Sequence, residues 1–195
     1  KVQSMKKLLH APFTLKKTLL DLIARETAHA EAGQSAHIII KVNAVTDAKV
    51  IRALYKASMA GVKIDLIVRG MCCLRPGVPG VSHNIRVRSI IGRFLEHSRV
   101  YWFANGGEEV LYLASADLME RNLDHRVETG FPIESKKLVQ RVRRELDLYL
   151  TDNCSASLLQ ADGSYVRAQP SNGQAMRNVQ QKLLEKLCGT GAPVV

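Results

Sequence analysis

His37-Ile38-Ile39-Ile40-Lys41-Val42 and Lys63-Ile64-Asp65-Leu66-Ile67-Val68-Arg69 are two short apolar runs rich in β-branched residues. Between them, Thr46 and Asp47 open a segment whose apolar residues fall at Val50, Ile51, Leu54, Tyr55 and Met59, and Gly61 closes it. Side chains at this spacing share one face of a helix, whereas the flanking runs suit strands buried on both faces. Strand, helix and strand in that order predict parallel neighbours joined by a right-handed crossover.

Upstream, Leu15, Leu19, Leu22 and Ile23 predict a helix from Pro12 to Gly33, with Thr14 as N-cap. Downstream, a Gly- and Pro-rich loop spans Gly70 to Asn84, and Ile85 to Ile91 reads as extended. Phe94 and Leu95 suit a single helical turn. Arg99 to Phe103 alternates as a strand does, Asn105-Gly106-Gly107 signals a hairpin, and Glu109 to Ala114 returns. Arg126 to Ile133 predicts another strand. Ser135 caps a basic amphipathic helix to Leu150, with Leu138, Val139, Val142, Leu146 and Leu150 inward. A short extended piece near Tyr165 to Ala168 and a helix from Gln174 to Leu187 complete the pattern. The fold class is therefore α/β: a mixed sheet with helices on both faces.

The 195 residues suit a single domain, 1–195, with loose ends expected at 1–12 and 189–195. The chain starts at Lys1 rather than Met, which reads as a segment of something longer, with upstream domains absent. No apolar run approaches the ~20 residues that span a bilayer, so no transmembrane segment is expected. Cys72, Cys73, Cys154 and Cys188 form no zinc-ligand spacing and read as reduced thiols in the cytoplasm. Against 18 acidic residues stand 28 Lys and Arg, a net charge of +10 that favours capture of polyanions.

Arg69 ends an apolar strand, and Gly70 lets the chain turn at once. Ligand crevices of open α/β sheets lie beyond the carboxyl ends of such strands, and a guanidinium there can hold two phosphate oxygens. His97 precedes the next strand, and Arg99 two residues on shares its side. That pair can bind a phosphoryl group while the imidazole handles a proton or attacks phosphorus. Ser115 and Asn122 offer neutral donors. Taken alone, Arg69 reads rather as a surface arginine and His97 as a structural histidine.

The sequence resembles the second phospholipase D-like domain of polyphosphate kinases of the long, multidomain type. Five blocks carry the resemblance in family order: Ile40–Asn43, Leu66–Cys72, Ser82–Ile90, Phe94–Tyr101 and Ser115–Glu128. It covers about Leu8 to Leu150 and implies a phospholipase D-like sheet. It also implies an ATP:polyphosphate phosphotransferase, which reversibly moves the terminal phosphoryl group of ATP onto inorganic polyphosphate through a phosphohistidine. That histidine and the Mg²⁺-binding residues belong to an upstream domain, so no metal ligand is expected here and the chain alone should be inactive. By the same resemblance Arg69 binds nucleotide phosphate, His97 binds ATP and serves as acid or base, and Arg121 faces the phosphate path.

The phospholipase D pattern is His-x-Lys, four residues, then Asp; here Arg99 replaces Lys, and Ala104 stands at the Asp position. The kinases share these departures. Lys41 and Asn43 sit at a strand end, to face phosphates or to cap a turn. Arg86 and Arg88 share a strand face toward polyphosphate or water. The resemblance further suggests homo-oligomers and a cytoplasmic enzyme, peripheral to the inner membrane when full-length. Two rivals stand beside it: a phosphodiesterase or nuclease completed by dimerisation, and a basic nucleic-acid-binding module. Ala104 disfavours the first, and scarce aromatic residues for base stacking disfavour the second.

Overall fold

The computed structural model describes residues 7–188. Among these, nine strands form one mixed sheet. In chain order they are β1 (Leu9–His10), β2 (His37–Val42), β3 (Lys63–Val68), β4 (Ile85–Ile90), β5 (Arg99–Phe103), β6 (Val110–Ala114), β7 (Thr129–Pro132), β8 (Ala156–Leu159) and β9 (Tyr165–Arg167). Their spatial order is β1-β7-β6-β5-β2-β3-β4-β8-β9. β2, β3 and β4 run parallel, and every other pairing is antiparallel. The predicted strand–helix–strand unit is present: α2 (Ala48–Met59) joins β2 to β3, whose residues pair from His37 with Lys63 through Val42 with Val68.

Alternation along the strands makes two cores. Ile38, Ile40, Leu66, Val87, Tyr101 and Phe103 pack on one face with Leu15, Leu19 and Ile23 of α1 (Leu15–Glu31) and Leu54 of α2. On the other face Ile39, Ile67, Val100 and Trp102 meet Val139, Leu146 and Tyr149 of α4 (Lys136–Thr151) and Val179 of α5 (Val179–Cys188). α3 (Glu120–Asp124) is a short helix after β6. The α2 N-terminus is secured by Asp47, whose carboxylate accepts from the Lys49 and Val50 amides at 3.0 and 2.9 Å and from Lys16 Nζ at 2.7 Å. Lys16 also reaches Asp124, so one ammonium joins α1, α2 and α3.

Several expectations need correction. Phe94 and Leu95 form no helical turn: residues 91–98 cross between β4 and β5 without regular structure. The strand expected over 126–133 is confined to Thr129–Pro132, and the helix expected from Gln174 begins at Val179. β8 was not anticipated, being a short piece with little alternation. On α4, Leu138 is exposed while Tyr149 turns inward. Thr14 and Ser135 hold their N-cap positions without a side-chain cap bond; the Thr14 hydroxyl instead accepts from the His10 amide at 2.9 Å. The loose end expected at 1–12 is tied down at 9–11, where β1 pairs with β7 and Ala11 is buried. Residues 1–6 and 189–195 lie outside the described residues.

Candidate functional site

Parallel strands β2, β3 and β4 end at the same edge of the sheet. β5 begins and β6 ends there too, since Arg99 pairs with Ala114. The loops leaving this edge are stitched together by backbone. Val45 bridges both Cys72 and Leu118, and the Gly70 amide donates to the Asn43 carbonyl at 2.9 Å. A Cβ at position 70 would stand 3.0 Å from that same oxygen, so the close approach of the two loops depends on glycine.

Arg69 leaves the tip of β3 half-buried, and its guanidinium donates to the Glu96 carbonyl, one residue before His97. The Arg69 carbonyl accepts from Ser89 Oγ at 3.0 Å, which fixes where the side chain starts. His97 is exposed on the 91–98 loop. The two residues singled out for phosphate therefore lie at one edge, and neither is locked in an apolar interior. Arg121 stands exposed on α3 and has no ion pair among the described residues.

The remaining candidates are engaged by protein carboxylates. Arg99 holds Asp117 with two bonds of 3.0 Å and donates to the His97 carbonyl at 3.0 Å. The Asn43 amide reaches Asp117 at 2.6 Å. Buried Lys41 lies 3.0 Å from Glu96 Oε2 and donates to Ser98 Oγ at 2.8 Å. Buried Asn122 donates to Glu128 at 2.6 Å, and Ser115 donates to the same carboxylate. Lys41, Asn43, Arg99 and Asn122 are thus tied to acids, whereas Arg69, His97 and Arg121 have no carboxylate partner among the described residues.

Sequence reasoning missed the acids. Asp117 sits in plain view between Ser115 and Asn122, and Glu96 precedes His97, yet spacing alone does not reveal which cation each one neutralises. Tyr149 and Gln180 lie far along the chain and carry no local signal. Both touch Glu96: the Tyr149 hydroxyl donates to Oε2, and Gln180 Nε2 donates to Oε1 at 2.8 Å. Burial raises the Glu96 carboxyl's pKa, but the Tyr149 hydroxyl, the Lys41 charge and the Gln180 amide outweigh it, and the net shift is downward. Burial and the Glu96 carboxylate push the Tyr149 phenol up.

A narrow crevice of about 10 Å³ enters between these groups, lined by Lys41, Asn43, Arg69, Glu96 and Tyr149. A groove of about 700 Å³ opens between Trp102, the β5–β6 turn and the start of α4, away from these residues. Among the described residues no group of three or more His, Cys, Asp and Glu stands ready for a metal ion.

A family model described as "Polyphosphate kinase C-terminal domain 2" matches residues 8–180. Polyphosphate kinase of Pseudomonas aeruginosa is 71% identical over 195 residues, which is all of this chain and 28% of that protein. That of Pseudomonas putida is 70% identical over 187 residues, covering 96% of this chain and 26% of its own length. The crystal structure of polyphosphate kinase from Porphyromonas gingivalis superposes with a TM-score of 0.91 at 36% identity, covering 95% of this chain and 28% of that one. Nuc of Salmonella typhimurium, a phospholipase D family member, superposes at 0.54 with 14% identity over 83% of this chain and 97% of its own, a likeness of fold alone. The chain spans little more than a quarter of the kinases it matches.

Proposed function

Because the chain belongs to the polyphosphate kinase C-terminal domain 2 family, we propose that it supplies one wall of a phosphoryl-transfer site. The reaction is the reversible movement of the terminal phosphoryl group of ATP onto inorganic polyphosphate. The observation that carries this reading is the meeting of Arg69 with the residue next to His97 at the strand-end edge. Phosphoryl transfer demands positioning and charge neutralisation more than covalent work by the protein. Arg69 offers a guanidinium fork to phosphate oxygens, the exposed His97 offers an imidazole N–H, and Arg121 extends the positive path. Lys41, Asn43, Arg99 and Asn122 are read here as framework, the first two in line with their turn-capping alternative, because carboxylates already engage them.

The phosphorylated histidine and the Mg²⁺ ligands belong, on this reading, to a part of the kinase beyond this chain. The fragment then binds ATP or polyphosphate without turning over. No helix among the described residues is long and apolar enough to cross a membrane. A cytoplasmic setting and self-association of the whole enzyme complete the proposal.

Titration calorimetry at low salt tests it. Arg69→Ala and His97→Ala should each weaken polyphosphate binding by roughly tenfold, the cost of a charge-assisted hydrogen bond. Affinity untouched by both changes would refute the site and leave a diffuse basic surface. Steady turnover of ATP and polyphosphate by this chain would refute the assignment of the chemistry elsewhere.

A further inference from the structure

Residues 91–98 connect β4 to β5 and carry His97, yet the apolar side chains of this loop hold it poorly. Ile91, Phe94 and Leu95 are 67%, 45% and 70% exposed. A loop that buries so little apolar surface is held by its polar contacts: Arg99 and Lys41 hold the His97 carbonyl and Ser98, while Gln180 and Glu96 tie the loop to the helices. Gln180, on α5, accepts from the Phe94 amide at 3.0 Å and donates to the Phe94 carbonyl at 2.8 Å. It also donates to Glu96, and it lies so close to the loop that a Cβ on Gly92 would meet its Oε1 at 2.5 Å. Glu96 in turn is gripped by Lys41 of β2 and Tyr149 of α4.

The backbone of Glu96 closes the connection. Its carbonyl receives the Arg69 guanidinium, and the next residue is His97. A rotation of Glu96 would move both groups read above as phosphate ligands. The charges are arranged to suit. Glu96 neutralises Lys41, whereas Arg69 has no carboxylate partner among the described residues.

We propose that Glu96 is a positioning residue that sets Arg69 and His97 for phosphate, and that α5 and α4 act on the site through Gln180 and Tyr149. This inference rests on the phosphate-binding reading of Arg69 and His97. It makes the C-terminal helix, remote in sequence, a part of the binding apparatus.

The test is titration of inorganic polyphosphate into the chain at low salt, with thermal melts of each variant. Gln180→Ala should weaken binding roughly fivefold, about the worth of one lost hydrogen bond. Tyr149→Phe, which removes a single oxygen and keeps the buried ring, should do the same if Gln180→Ala folds poorly. Added to an Arg69→Ala/His97→Ala double variant, Gln180→Ala should have no further effect, because a residue acting through others is silent once they are gone. A merely structural role would reduce affinity equally in both backgrounds, and that result overturns the proposal. So does wild-type affinity in both Gln180→Ala and Tyr149→Phe while Arg69→Ala and His97→Ala bind weakly. If Arg69→Ala and His97→Ala themselves bind like wild type, the phosphate reading falls first and takes the inference with it.

Discussion

Arg99 shows how far one residue can be read from its neighbours. Its charge and its place two residues after His97 are visible in the sequence, and both suit phosphate. What is not visible is Asp117, brought across the β5–β6 hairpin to take both arms of the guanidinium. A guanidinium already satisfied by a buried carboxylate has little left for a ligand. Asp117→Asn should therefore cost about 2 kcal/mol of stability in urea denaturation, from loss of a charge-assisted pair and weakening of the Asn43 tether. The strand-end places of Arg69 and His97 were legible for the opposite reason, since a tip needs no partner to be recognised, whereas a phosphate role for them came from the family resemblance alone.

At the scale of elements, legibility followed periodicity. β2, α2 and β3 were readable because each buries a continuous pattern, and β5 because its two faces feed different cores. The 91–98 loop and β8 were not, since polar contacts from distant helices decide the first and sheet pairing decides the second. On α4 the helical period was right: Val139, Val142, Leu146 and Leu150 pack in the core as expected, with Leu138 outside the stripe and Tyr149 inside it. Leu146→Ala should destabilise by about 3 kcal/mol, while exposed Leu138→Ala should stay within about 0.5 kcal/mol, as chemical denaturation would show. Asp47→Ala removes two N-cap bonds and half of the compensation for Lys16, and should cost about 3 kcal/mol by the same measurement.

For the whole molecule, pH acts through a few buried carboxylates. Burial raises the Asp47, Asp65 and Glu96 carboxyls, but Lys16, His37 and Tyr149 respectively lead the contacts that bring each below its usual value. A carboxyl depressed by folding contributes stability above its unfolded pKa of about 4 and loses it as pH falls through the folded value. Lys16 is shifted the other way: burial lowers it, Asp124 and Asp47 more than restore it, and its contribution is lost as pH rises beyond about 10.4. Melting temperature should thus hold level from about pH 5 to 9 and fall on the acid side, with a shallower acid limb in Asp47→Asn.

β2 sits at the middle of the nine strands, bonded to β3 on one side and β5 on the other, with its central isoleucines sealed from water on both faces. In deuterated solvent its amides should be the last to exchange, opening only when the entire chain unfolds. The amides of β9, exposed along its length at the sheet margin, should exchange within the first moments. The strand whose end opens onto Asn43 and the candidate site is thus the slowest clock in the protein.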